Sequence, residues 1–168
     1  MKVYIGPYID NPEEDPEKNR EINIQIDNYD TWNMDSTLAF IIVPMLKQLK
    51  ETKHGSPHVE DEDVPENLRS YHAPGKDEGD ADDFWPDRWE WVMNEMIWAF
   101  EQHLIDWEDQ YYHEDGEWHT EPLEDEPGMS KLVWDKKPVI DMDGMRKHSE
   151  RIQNGFRLFG TYYSGLWD

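Results

Sequence analysis

The chain has no cysteine, no apolar run approaching the roughly 20 residues of a membrane-spanning helix, and no lysine or arginine between Trp89 and Ser130. The first absence excludes a disulfide framework and thiolate chemistry and fits a reducing compartment. The second argues against a membrane span, and Met1-Lys2-Val3-Tyr4 does not read as the opening of a secretory leader. The third belongs to a general shortage of positive charge. Residues 1–130 hold 9 Lys and Arg against 34 Asp and Glu, residues 131–168 hold 7 against 5, and the formal net charge is −23. Such a surface repels nucleic acid and anionic membranes and attracts basic proteins and cations. Also missing are a nucleophile elbow, a Walker loop, a dinucleotide fingerprint, an HExxH helix and a kinase signature. With 39 acids, no one carboxylate pair stands out for acid–base hydrolysis. The balance leans against an enzyme.

What is present is aromatic: 9 Trp, 8 Tyr and 5 Phe. Each buries roughly 150–250 Å² when packed, so these residues supply a core that disordered acidic chains lack. One domain, residues 1–168, is expected at this length.

Lys2 to Ile5 reads as a short edge strand halted by Gly6-Pro7, followed by a Pro/Glu/Asp-rich loop over Asn11 to Arg20. Ile22, Ile24 and Ile26 alternate with Asn23, Gln25 and Asp27, the pattern of a half-buried strand. A first helix is expected from a cap at Asp35 or Ser36, with Leu38, Ile41, Ile42, Met45, Leu46 and Leu49 facing the core, a kink at Pro44 and a stop at Gly55. Residues 56–83 read as a long acidic loop. A second helix opens at Trp85-Pro86 with Asp82 or Asp83 as cap, and buries Trp89, Val92, Met93, Met96, Ile97, Phe100 and Leu104. Trp91 and Trp98 extend its apolar surface to a second side, which predicts a central position or a contact surface. Residues 106–129 read as another acidic loop. Leu132 to Trp134 and Pro138 to Ile140 are candidate strands joined by Asp135-Lys136-Lys137. A last helix starts near Asp141 or Asp143, with Ile152, Phe156, Phe159, Tyr163 and Leu166 as its core stripe. The expected class is α+β: mainly helical, about three helices, with a small antiparallel sheet and long acidic loops.

Several blocks carry a resemblance: Asp30-Thr31-Trp32-Asn33-Met34-Asp35-Ser36-Thr37-Leu38-Ala39, Pro44 to Lys50, Lys53-His54-Gly55-Ser56-Pro57, Glu62 to Glu66, Arg88 to Val92 with Glu95-Met96-Ile97, and Glu150 to Gly160. Over about half the chain this resembles a family of small acidic hypothetical proteins of tailed bacteriophages. The resemblance implies action in the cytoplasm of an infected host and transfers no mechanism. Residues 106–138 lie outside it.

Four candidate sites follow. The acidic surface, with Glu60, Asp61, Glu62, Asp63, Asp106, Glu108 and Asp109 as its densest groups, would engage a basic host protein and imitate DNA. Duplex DNA carries about one charge per 1.7 Å, so 23 charges match roughly 40 Å of duplex, about the extent of a compact chain of this size. The plainer account is a solvated surface that keeps the chain soluble. His54 and His58 beside Glu60 to Asp63 offer imidazole and carboxylate to a divalent metal, although Gly55-Ser56-Pro57 breaks helical spacing and favours a helix-ending turn. Glu101-Gln102-His103 and His148 with Glu150 lack the spacing of a di-metal bundle site. Arg88, Trp89, Arg151, Arg157 and Tyr162 combine cations and rings in the manner of a nucleotide site, against ordinary salt bridges and core aromatics. The leading expectation is therefore an accessory protein acting by binding. A nucleotide-sequestering protein and a virion-associated or assembly protein are the alternatives. Exposed Trp85, Trp91, Trp98 or Trp118 would point to a partner surface or a homo-oligomer.

Overall fold

The computed structural model describes residues 1–6, 21–73, 81–125 and 128–167. The expected loop over Asn11 to Arg20 lies outside them. Three helices and three two-stranded antiparallel ribbons make an α+β fold.

The middle helix α2 (Trp85–Gln102) is the central element, packing against α1 (Met34–Thr52) on one side and α3 (Met142–Thr161) on the other. Its sequence requires this: Trp89, Val92, Met93, Met96, Ile97 and Ala99 are buried, and they cover more than one side of the helix. Pro86 sits in the first turn, where its missing N–H costs nothing. Asp82 acts two residues before the helix cap Phe84, accepting from its N–H at 2.9 Å. Helix α3 runs back along α2, with His148 beside Gln102 and Tyr162 beside Trp89. Gly155 makes the close approach: a Cβ there would lie 2.3 Å from the Ala99 Cβ and 2.7 Å from the Glu95 carbonyl oxygen.

The buried faces depart from the simple stripes. In α1 the fully buried residues are Ala39, Val43 and Leu46, with the expected Ile42 and Leu49 half-buried against the core, while Leu38 and Met45 are exposed. In α3 they are Ile152, Gly155 and Leu158, followed by Tyr162, with the expected Phe159 and Leu166 half-buried against the core and Tyr163 exposed. In α3 Gly155 sets the rotation, because its close approach to Ala99 outweighs a longer apolar side chain one position away. Helix α1 starts at Met34 with Asn33 as its cap, two residues before the earlier of the expected caps Asp35 and Ser36, and runs unbroken through Pro44. Its end is set by Lys53, which turns extended while its N–H still reaches the Leu49 carbonyl. Gly55 takes no part.

One sheet was expected; three separate ribbons form. β1 (Lys2–Ile5) pairs with β2 (Ile22–Gln25), β3 (Tyr112–Glu114) with β6 (Val139–Ile140), and β4 (Glu117–Pro122) with β5 (Ser130–Lys136). Residues 106–129 are therefore not a loop: they hold a 3-10 turn (Trp107–Tyr111) and two strands. The acidic residues are tolerated because β5 carries late cations that reach both β4 and β3. Lys131 pairs with Glu121, Lys136 with Glu114, and Trp118 lies opposite Trp134. Gly116 is needed at the bend, where a Cβ would strike the Trp134 ring at 2.4 Å.

Residues 56–73 keep the irregular path expected of them but are folded onto the helices, with Val59 and Val64 buried. Among the described residues no helix is long and apolar enough to cross a membrane.

Candidate functional site

The acidic groups divide into those that fold the chain and those it presents. Asp61 accepts from the Ser70 N–H (2.7 Å) and hydroxyl (2.6 Å), and the Ser70 hydroxyl bond, first among its contacts, holds its carboxyl below the ordinary range. Asp63 pairs with Arg157 at 2.6 Å and accepts from the Tyr162 hydroxyl at 2.6 Å. That hydroxyl in turn accepts from the Glu60 N–H. Burial, reinforced by the bond to Asp63, pushes the Tyr162 phenol up to about 12. Asp61 thus braces residues 56–73 internally, Asp63 fastens them to α3 and the residue that follows it, and both are withdrawn from the expected recognition face. Glu60 and Glu62 remain exposed.

Asp106, Glu108 and Asp109 are exposed and have no ion-pair partner among the described residues. Their mount is rigid. Trp107 stacks on the His148 ring at 4.4 Å and 10°, and the Tyr111 hydroxyl donates to His148 Nδ1 at 2.9 Å. His148 Nε2 donates to Gln102 Oε1 at 2.9 Å, so Nε2 carries a proton. Beyond it Trp98 packs at 4.9 Å, Arg151 lies 3.9 Å over Trp98, and Glu95 holds Arg151 through two bonds of 2.7 and 2.9 Å. Burial, then the Arg151 charge, depresses the His148 pKa. Nothing in the local sequence flags this cluster, because its partners come from 102, 107, 111 and 148. The only local hint is Trp107 and Tyr111 standing four apart inside an acidic run.

The two outward groups sit toward opposite ends of α2. Residues 60–63 contact Tyr162 and so lie toward the start of α2, whereas 106–109 follow its end. The helix has 18 residues, about 27 Å at 1.5 Å each. The expected continuous patch is therefore two acidic mounts separated by a helix length.

The cation–aromatic set is not gathered around a ligand space. Arg88 is 2 % exposed, bound to Asp82 through bonds of 2.7 and 3.1 Å and to the Leu68 carbonyl at 3.1 Å, with Trp89 buried beside it. Arg151 is committed to Glu95, and Arg157 and Tyr162 to Asp63. Neither principal groove includes any of the five. One, of about 860 Å³, is an apolar trough between α1 and the end of α3, lined by Ile42, Met45, Leu49, Phe159, Tyr163 and Leu166 among others. The other, of about 500 Å³, follows the α1–α2 seam, where Lys47 pairs with Glu101 and both Lys50 and Lys53 pair with Glu90.

The metal expectation at His54 and His58 is corrected likewise. His58 rests on the Trp85 ring at 5.2 Å and lies 3.4 Å from Glu60. Among the described residues no three His, Asp or Glu side chains converge in a group able to hold a metal ion. Of the tryptophans singled out, Trp118 is exposed, and Trp85, Trp91 and Trp98 are half-buried. No family model, curated protein or solved structure matches this chain.

Proposed function

We propose that this chain is a phage accessory protein acting in the host cytoplasm by binding, its outward carboxylates occupying a basic, DNA-binding surface of a host protein. The observation that carries this reading is the segment Asp106–Asp109, where unpaired carboxylates project from a turn locked to the helices by Trp107 and Tyr111. Rigid mounting matters because ordering loose charged side chains on binding offsets much of their attraction. The phage origin is taken from the resemblance in sequence.

Charge-steered association of this kind is fast and falls steeply with salt. The test is capture of host proteins on the immobilised chain at low salt, followed by affinity measurements on the purified partner. The expected result is elution by about 0.5 M salt, competition by duplex DNA, and at least tenfold weaker binding by the triple variant Asp106→Lys, Glu108→Lys, Asp109→Lys. Retention through molar salt, or undiminished binding by the triple variant, would sink the reading.

A further inference from the structure

The β1–β2 ribbon is an incomplete sheet. Its register places Val3 opposite Ile24 and Ile5 opposite Ile22 on one side, and Lys2 opposite Gln25 and Tyr4 opposite Asn23 on the other. One face is thus aliphatic and the reverse polar. A two-stranded ribbon is marginal alone and gains independent stability from a third strand or a cover. Among the described residues neither appears: the sheet has two strands, and Val3, Ile5, Ile22, Ile24 and Ile26 are 40–62 % exposed.

A second copy is a poor cover. Two strands of about five residues present roughly 170 Å² of face, far below the roughly 800 Å² per partner of a stable interface. Stacking copies would also bring together chains of net charge −23.

The surroundings of β2 describe a better occupant. Glu21 and Asp27 bracket the strand, both exposed, and Asp27 keeps extended geometry (φ −90°, ψ 159°). They share the parity of Asn23 and Gln25, so both belong to the polar side, about 20 Å apart along the strand. The other strand begins at the Met1 ammonium, which Asp30 holds at 2.7 Å, and at Lys2. The same ammonium lies 3.9 Å from Asp27, whose side chain is nonetheless 85 % exposed, so the β2 edge still presents a carboxylate at each end.

We propose that the free edge of β2 accepts an extended, basic segment of a partner protein as a third strand. The incoming strand has a defined pattern, since directly opposed residues in a sheet share a face. Lys or Arg occupies its first and seventh positions, against Glu21 and Asp27. Apolar residues occupy the second, fourth and sixth, extending the Ile22–Ile24–Ile26 side. Backbone bonds supply affinity and the alternating side chains supply selectivity, as in other strand-addition complexes. The inference deepens the functional reading above and rests on its basic partner.

The test is selection from a displayed library of nine-residue peptides, fully randomised, against the full chain. Enrichment of the basic–apolar–x–apolar–x–apolar–basic pattern is expected, with amide shifts on binding centred on residues 22–27. The double variant Glu21→Lys, Asp27→Lys should bind the selected peptide at least tenfold more weakly while keeping the β1–β2 amide pattern, and a peptide with Glu at both ends should recover the loss. Failure to enrich the pattern, shifts centred on the α1–α3 trough, or affinity within twofold for the double variant would overturn the proposal. A host partner that binds this double variant normally but not the Asp106/Glu108/Asp109 variant would reject strand addition and leave the acidic-surface reading standing.

Discussion

In the helical core charged groups are buried in pairs, whereas in the ribbons they lie in water beside one another. Arg88 with Asp82 and Glu95 with Arg151 are enclosed or half-enclosed by α2 and its neighbours. The pairs across β4 and β5, Lys131–Glu121 and His119–Asp135, are about half exposed on both partners. The same chemistry therefore has different weight in the two regions. A buried cation cannot lose its partner cheaply, because the remaining charge is left in a low dielectric. An exposed pair is screened and contributes little. The helices consequently set the stability of the chain, and the ribbons are free to present side chains.

The sharpest way to break this contrast is Arg88→Met. It leaves Asp82 without its cation and the Leu68 carbonyl without its donor. The expected loss is about 3–5 kcal/mol, read as a lower urea midpoint. Adding Asp82→Asn should recover part of it, since the stranded charge is then gone. An unchanged midpoint in the single variant would remove the distinction between the two regions.

A second, smaller effect separates two glycines of α3. Gly155→Ala drives a methyl into Ala99 and the Glu95 carbonyl, while Gly160 has nothing within 4 Å of an added Cβ. Overpacking costs about 1–3 kcal/mol, and replacing a helical glycine by alanine returns roughly 0.5–1 kcal/mol. Gly155→Ala should therefore lower the melting temperature and Gly160→Ala should raise it. Equal shifts of one sign would show that the α2–α3 contact is loose.

The sequence exposed those features whose causes are local. The apolar run on two sides of α2 announces a central helix, and the strict alternation of Ile22, Ile24 and Ile26 announces a strand. It misled where the cause was remote. The acidic run 106–129 looks like loop until Lys131 and Lys136 pair with Glu121 and Glu114. Arg88 looks like a ligand-binding cation until Asp82, six residues earlier and outside the helix, closes on it. Asp61 and Asp63 read as part of an acidic face, yet their partners Ser70, Arg157 and Tyr162 come from sites no spacing rule connects. Charge totals show how many carboxylates exceed cations. They do not show which ones the fold consumes.

Two histidines carry the contrast to its finest scale. His119, in β4, is bonded to Asp135 at 2.9 Å and lies 3.3 Å from Glu121; first the Asp135 bond and then that to Glu121 raise its pKa above the ordinary 6.5. His148, in α3, is lowered below 6.5 by burial and then by Arg151. The signs oppose. His119 supports the β4–β5 ribbon fully below about pH 6.5, and that support is lost as pH rises through its higher folded value. His148 supports the core fully above about pH 6.5, and that support declines as pH falls toward its lower folded value. Ring-proton titration by NMR should separate the two midpoints to either side of 6.5. Amide exchange in β4 and β5 should quicken on the alkaline side, and the Trp107–Tyr111 turn should loosen on the acid side. Midpoints on the same side, or a Trp107–Tyr111 turn indifferent to acid, would mean that the aromatic stack on His148 does not fix the acidic mount to the helices.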